Sequence, residues 1–396
     1  MNREGALAGA ATLACQRDAF SLPADAHYLN CAYISPLPKA VEAAGIAGIR
    51  RKRAPADLHT PDFFEESDRV RELFARLVGA PDPERIAIIP AVSYAVATAA
   101  RNLPVGRGQN IVLLHNQFPG NVHAWRRKAD TAGAEIRTVT PPAAPRRARA
   151  WNERLLEAID RDTAVVTLPE VHWIDGTVFD LTEVSARARE VGAVLVVDAT
   201  QSVGARPFDL NAIRPDALIV AGYKWLLGPY SIGAAYLGPR FDGGVPLEET
   251  WIGRVRSEDF QHLTDYESEY RPGAIRYDVG ERSNFVLVPM FAAALRLVLA
   301  WDPVRVEAYC RRLSEPLVRE AAAMGFPVER EAGRAAHLFG LRMPEHCPLP
   351  ALEAELRRRK ISVSLRGSAV RVSPHLYNDE NDVGALIEAL AAVTSS

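Results

Sequence analysis

Between residues 86 and 238 the chain alternates two patterns of apolar and polar positions. Short apolar, β-rich runs predict strands at "IAIIP" (86–90), "NIVLLH" (110–115), "EIRTV" (135–139), "TAVVTLPEV" (163–171), "AVLVVDAT" (193–200), "DALIVAG" (216–222) and "GAAYLG" (233–238). The segments between several of them repeat apolar residues at helical spacing: "SYAVATAARNL" (93–103), "NVHAWRRKADTAG" (121–133), "NERLLEAID" (152–160) and "LTEVSARAREVG" (181–192). The Pro- and Arg-rich "PPAAPRRARA" (141–150) reads as a loop. Alternation of this kind predicts βαβ units, an α/β fold with a mostly parallel sheet and helices on both faces. Ligands of such sheets bind at the carboxyl ends of the strands.

Beyond Gly253 the texture changes. A charged, aromatic connector (254–278) precedes a long helical pattern (289–325), expected to break near Pro303. Then come "AHLFGLRM", the helical "LPALEAELRRRK", "ISVSLRG", "AVRVSPHLY" and a last helix, "ENDVGALIEALAAV". This α+β pattern predicts a second, smaller domain. The expected division is an N-terminal arm (1–27), a large domain (28–270) and a smaller C-terminal domain (271–396), in keeping with a length of 396 residues.

Composition narrows the function classes. With 48% hydrophobic and 24% charged residues the chain is a globular protein, and a net charge of -2 gives no reason to expect nucleic acid or an anionic membrane as partner. The clusters "RRKR" (50–53) and "RRRK" (357–360) read as solvated helix faces. Four cysteines, Cys15, Cys31, Cys310 and Cys347, show neither metal-ligand nor redox spacing, so no metal is expected and a reducing cytoplasm fits. The Ala- and Gly-rich "GALAGAATLAC" (5–15) reads as a mobile or helical arm rather than a secretory segment, and no window is apolar over the length of a membrane span.

Two strand ends carry charge. "AVLVVDAT" delivers Asp198, with Gln201 three residues on, and "DALIVAG" delivers Lys224. A carboxylate there is costly to bury without a cation, and a desolvated lysine becomes nucleophilic toward aldehydes. Pyridoxal 5′-phosphate (PLP) suits such a pair: its aldehyde condenses with the lysine and its ring nitrogen takes an acidic partner. A structural salt bridge is an equal alternative on these two residues alone.

The stretch "VVDATQSVGA…DALIVAGYKWLLGPYSIGAAYL" resembles the lysine region of the class V aminotransferase family of fold-type I PLP enzymes, which includes cysteine desulfurases, kynureninases and isopenicillin-N-epimerase-like proteins. The resemblance runs from "YLNCAYISPLP" to "VRVSPHLYND". It implies a seven-stranded sheet in the large domain and a homodimer with active sites at the subunit interface. It also implies Lys224 as the Schiff-base lysine and acid/base, Asp198 at the ring nitrogen, Gln201 at the ring hydroxyl and Phe118 stacked on the ring. Val92, Ser93 and Tyr223 are implied at the phosphate, with Trp251 near it and Ser283 in a loop, "GERSNF", that reaches a neighbouring subunit's phosphate. Arg371 is implied at the substrate carboxylate, with Asn30, His172 and Trp173 toward the substrate. Glu281 stands where desulfurases have threonine, and a carboxylate there repels phosphate.

The resemblance implies chemistry at the α-carbon of a small amino acid. Aminotransferase-type conversion is the leading expectation, and β- or γ-lyase chemistry, kynureninase-like or carbon–sulfur, is the alternative. Epimerisation ranks lower, since no second acid/base is evident. Desulfuration through a persulfide is disfavoured: "ISVSLRGSAVRVS" joins two strands without cysteine, and Cys347 precedes the matched loop. A non-enzymatic cofactor-binding role is disfavoured by the intact Lys224, Asp198 and Arg371 set.

Overall fold

The computed structural model describes residues 13–142, 147–344, 347–367 and 369–394. Of the expected N-terminal arm, residues 1–12 lie outside them, and residues 13–27 are packed against the C-terminal layer, with Leu13 and Phe20 buried in its core rather than mobile. Strands β1 (His27–Tyr28), β2 (Ile86–Ile89), β3 (Asn110–Leu114), β4 (Glu135–Val139), β5 (Thr163–Pro169), β6 (Val194–Asp198), β7 (Ala217–Ala221), β8 (Gly233–Leu237), β9 (Phe339–Arg342), β10 (Ile361–Ser362), β11 (Ser364–Arg366) and β12 (Ala369–Val372) form three sheets. The largest has seven strands in the order β2-β8-β7-β6-β5-β3-β4. Only β8 runs against the others, pairing antiparallel with β7 and β2. The α/β architecture is therefore the expected fold type I arrangement.

The sequence pattern explains the layering. Strands β2, β3, β5, β6 and β7 are buried at every position, which continuous aliphatic runs permit and alternating ones do not. Helices cover both faces. The helix Leu181–Val191 is capped by Asp180, whose carboxylate accepts from the Thr182 and Glu183 amides, and it stops at Gly192 in the left-handed region. The long C-terminal pattern breaks as expected, into Leu287–Trp301 and Pro303–Ala323, bent by 70°. Asp302 makes the corner at φ 65° and caps the second helix at the Val304 amide. No single described helix is long and apolar enough to cross a membrane.

The structure departs from the expected pattern in two places. Residues 147–150, expected in a loop, begin the helix Arg147–Ala158. Burial of Ala148 and of Trp151, whose indole N–H donates to the Val139 carbonyl at 3.0 Å, draws this turn into the helix. The helices Lys39–Arg51 and Glu65–Val78 were not singled out, although Val70, Phe74 and Val78 recur at the spacing of one helix face and are fully buried.

The C-terminal layer is a three-stranded antiparallel sheet, β11-β12-β9, whose Leu341 and Val370 join a core with Leu352, Leu356, Leu386 and Leu390. The chain's beginning is woven into this layer. Strand β1 pairs in parallel with β10, and Leu29 and Cys31 exchange backbone hydrogen bonds with Ser362 and Ser373. Conversely, Leu287–Trp301 packs on Lys39–Arg51 and Glu65–Val78 beside the large sheet.

Candidate active site

A cavity of about 250 Å³ opens at one edge of the large sheet. Its walls come from segments that leave β2 (Pro90–Ser93), β3 (Gln117, Phe118, Gly120), β5 (Pro169, Val171, Trp173), β6 (Asp198, Thr200, Gln201) and β7 (Ala221, Tyr223, Lys224), and from Tyr230–Ile232 before β8. Because β8 alone is reversed, its amino end meets the carboxyl ends of the rest, and all six segments converge.

Lys224 is 6% exposed. Its Nζ stands 5.4 Å from the Phe118 ring centre and 5.7 Å from that of Tyr223. Burial, and then the positive charge of Arg371, hold its amine down to about 8. The turn presenting it is rigid. Ser35 donates to the Tyr223 carbonyl from its amide at 3.0 Å and its hydroxyl at 3.2 Å, and the Leu227 amide returns to the Lys224 carbonyl at 3.1 Å. Two motif glycines make room. A Cβ at Gly222 would meet the Ile232 carbonyl at 2.6 Å, and one at Gly204, where φ is +102°, the Trp225 carbonyl at 2.4 Å.

Asp198 is buried at the tip of β6 and has no cationic partner within ion-pair distance among the described residues. Burial pushes its carboxyl up, against the hydrogen bonds from the Thr200 hydroxyl and amide and the charge of Lys224. Gln201 shares the wall, and its orientation follows from its partners. An indole N–H only donates, so the atom 2.8 Å from Trp225 Nε1 is Oε1. Nε2 then donates to the Ala32 carbonyl at 3.2 Å and keeps one N–H for the cavity. Across the cavity, Val92 and Ser93 open the helix Val92–Asn102, whose first amides receive no side-chain cap. Free amides at the positive end of a helix dipole suit an anion. Burial pushes the Tyr223 hydroxyl up to about 12, so it stays protonated and can donate.

The residues expected at the substrate come from the C-terminal layer, the chain's beginning and the segment after β5. Arg371, on β12, is 1% exposed. It donates to the Trp173 carbonyl at 2.9 Å and to Ser364 Oγ at 3.1 Å, and its Nε–H has no acceptor. No ion pair among the described residues involves it, and burial lowers its guanidinium to about 10, still cationic at neutral pH. Asn30 accepts from the same Ser364 hydroxyl at 2.8 Å. Trp173 sits between the two ends, with its indole N–H on the Asn116 carbonyl at 2.7 Å and its ring edge-on to Phe118 at 5.4 Å.

Arg371 and Asn30 do not line the cavity themselves and connect to its wall through the Trp173 carbonyl, and three further expected residues lie elsewhere. His172 points away from the cavity: it packs on Trp151 at 5.1 Å, with Nε2 3.2 Å from the His115 carbonyl and Nδ1 3.4 Å from Asp175. Alternation along the extended chain sends Trp173 to the cavity and its neighbour into the core. Trp251 belongs to an aromatic cluster with Phe63 and Phe260 and lines a separate cleft. Ser283 is off the cavity because its neighbour Arg282 is drawn inside to Asp278 at 3.1 Å, and the Ser67 hydroxyl holds the Arg282 carbonyl at 3.2 Å. Sequence reasoning passed over Thr200, Trp225 and Ser364. A Thr two residues after Asp198 is a local turn signal that could have drawn notice, whereas Trp225 and Ser364 act on residues distant in the chain.

The family model described as Aminotransferase class-V matches residues 58–386. The chain belongs to the class-V aminotransferase family. Among curated proteins it is 26% identical to an uncharacterized aminotransferase, YcbU, of Bacillus subtilis over 84% of this chain and 85% of the other. It is 28% identical to isopenicillin N epimerase of Streptomyces clavuligerus over 92% of this chain and 94% of that protein. Among solved structures, a mutant of C-DES with glycine covalently linked to its PLP cofactor superposes with a TM-score of 0.83 at 19% identity, covering 96% and 99% of the two chains. The class-V chain described here is an enzyme, and its cofactor is PLP. The cavity suits that group: an uncompensated buried carboxylate for a protonated ring nitrogen, a desolvated amine for an aldehyde, and an uncapped helix start for a phosphate.

Proposed function

We propose that this class-V enzyme acts at the α-carbon of a small amino acid, with Lys224 as its nucleophile and proton carrier, most simply in an aminotransferase-type conversion. The carrying observation is that a lysine held at about 8 shares one cavity with an unpaired buried carboxylate. When bound, the cofactor supplies an aldehyde and an electron-withdrawing ring that takes up negative charge from the α-carbon. Asp198 holds the ring nitrogen protonated, Gln201 donates to the ring hydroxyl and Phe118 covers one face. Val92, Ser93 and Tyr223 hold the phosphate. Arg371 takes the substrate carboxylate, and the Ser364–Asn30 chain keeps its fork in place. Lys224, freed as an amine, takes the α-proton and can return it at a neighbouring position.

A lyase outcome is the second reading, favoured by Tyr223 and Phe118, which stand where kynureninase-like members carry Tyr and Phe. Persulfide desulfuration is disfavoured because β11 and β12 form a tight hairpin, Arg366 pairing with Ala369, with no room for a cysteine-bearing loop. We read the enzyme as a cytoplasmic homodimer with a cofactor-binding unit (28–270) and a smaller unit (271–396). Exposed Tyr33, Ile34, Leu37 and Tyr230 support a subunit contact on the cavity side. In such a dimer Trp251 and Ser283 could serve the partner's site rather than their own.

The test is borohydride reduction of the purified holoenzyme followed by peptide mapping. The expected adduct is on Lys224, and an adduct on another lysine, or none, overturns the reading. Incubation with an amino-acid panel then separates transamination, read as the amine form of the cofactor, from elimination, read as released ammonia and keto acid.

A further inference from the structure

The three-stranded sheet has two unlike faces. Its register aligns Ser364, Arg371 and Gly340 in one row, Leu365, Val370 and Leu341 in the next, and Arg366, Ala369 and Arg342 in the third. Side chains alternate across a sheet, so the first and third rows share a face and the middle row faces the core. Arg366 on β11 is therefore the diagonal neighbour of Arg371 on β12, about 7–8 Å away on the same face. Both reach the same cavity residue: Arg371 donates to the Trp173 carbonyl at 2.9 Å, and the Arg366 guanidinium lies over the Trp173 ring at 5.7 Å from its centre.

Neither arginine is neutralised. Arg366 donates to its neighbour's carbonyl, Leu365, at 3.0 Å, its Nε–H is buried without an acceptor, and no ion pair among the described residues involves it. The acid near this face, Asp175, is taken by Arg147 at 2.8 Å. Arg366 raises the cost of charge at both Lys224 and Arg371, so its field reaches the reacting amine. Two neighbouring guanidinium groups, without counter-ions among the described residues and both set against the Trp173 wall of the cavity, are an arrangement that a single α-carboxylate does not balance.

We infer that the substrate carries a second anionic group: it is an amino acid with an acidic side chain, whose α-carboxylate meets Arg371 and whose side-chain anion meets Arg366. This inference rests on the reading of Lys224 and Arg371 given above. Arginine's planar fork takes a carboxylate, a sulfinate or a sulfonate alike, so the shared chemistry is a side-chain oxyanion.

The experiment titrates the holoenzyme with size-matched pairs, aspartate against asparagine and glutamate against glutamine, together with cysteate, following the visible absorption of the cofactor. An acidic member is expected to bind about 10- to 100-fold more tightly than its amide, the span of a charge-assisted hydrogen bond. In Arg366→Met the acid-to-amide ratio should fall toward one, and Arg366→Lys should keep part of it. Equal binding of acids and amides overturns the inference, as does the absence of any response to the acidic members, or an equal loss for acids and amides in Arg366→Met. Borohydride labelling of the same preparation separates the two failures: a Lys224 adduct with the wrong panel pattern sinks only the acidic substrate, whereas no Lys224 adduct sinks the site reading itself.

Discussion

The two ends of the cavity are built in opposite ways. At the cofactor end the polar groups leave consecutive βα units of one sheet, and the unpaired charge is a carboxylate, Asp198. At the end we propose for the substrate, behind the Trp173 wall, the groups come from the C-terminal layer and from the chain's beginning, and the charges unpaired among the described residues are guanidinium groups, Arg371 and Arg366. Lys224 sits between them, and each end moves its amine in an opposite sense. Arg371 and Arg366 favour the neutral amine, while Asp198 favours the ammonium, and burial tips the balance toward the neutral form. A buried charge without a partner is costly, so each end is poised for the ligand group that neutralises it: a ring cation at one, carboxylate anions at the other.

The comparison can be broken most severely at its centre. Lys224→Ala removes both nucleophile and base, and turnover should fall by about 10,000-fold or more, with the reducible chromophore lost from the adducted peptide. Asp198→Asn preserves shape but removes the charge at the cofactor end. It should lower turnover by about 100- to 1,000-fold while leaving substrate carboxylate binding largely intact, a split readable in kcat and KM.

Arg371→Met tests the other end. Loss of a buried charged partner should weaken amino-acid binding by about 30-fold or more, with the cofactor retained. The same variant sharpens the electrostatic comparison. The free amine attacks the aldehyde, so capture of PLP by the apoprotein should rise about tenfold per pH unit and level off near pH 8. A neighbouring cation disfavours the ammonium, so removing Arg371 must shift that inflection to higher pH. A downward shift, or none, would show that the two ends are not coupled through Lys224. The smallest effect is expected from Trp225→Phe. Gln201 Oε1 loses its donor, the amide can turn over, and cofactor affinity should drop by roughly tenfold, given about 1–3 kcal/mol for an orphaned buried acceptor. A change in the pH dependence of the holoenzyme's absorption would mark reorientation at the ring rather than general loosening.

This asymmetry also decided what could be read before any coordinates. Asp198, Gln201 and Lys224 stand at the ends of apolar runs whose period announces them, and Val92 and Ser93 open a helix directly after such a run. Arg371 was expected from the motif around it, and the structure sets it against the Trp173 wall rather than in the cavity lining. His172 was not, because two adjacent residues of one extended segment face opposite ways, and the motif did not say which faces the cavity. Trp251 and Ser283 were assigned from resemblance to segments that one chain's own cavity does not include.

By itself the sequence determined the alternation of buried strands and amphipathic helices, the break at Pro303 and the charged residues carried to the sheet's edge. These follow from local periodicity, which the chain carries in its own order. Only the tertiary structure decided that Trp225 locks Gln201, that Asn30 and Ser364 brace Arg371, and that Arg366 stands beside it on one face. Those relations join residues far apart in the chain, or turn on the register of a hairpin. A one-residue slip of β11 against β12 would put Arg366 and Arg371 on opposite faces.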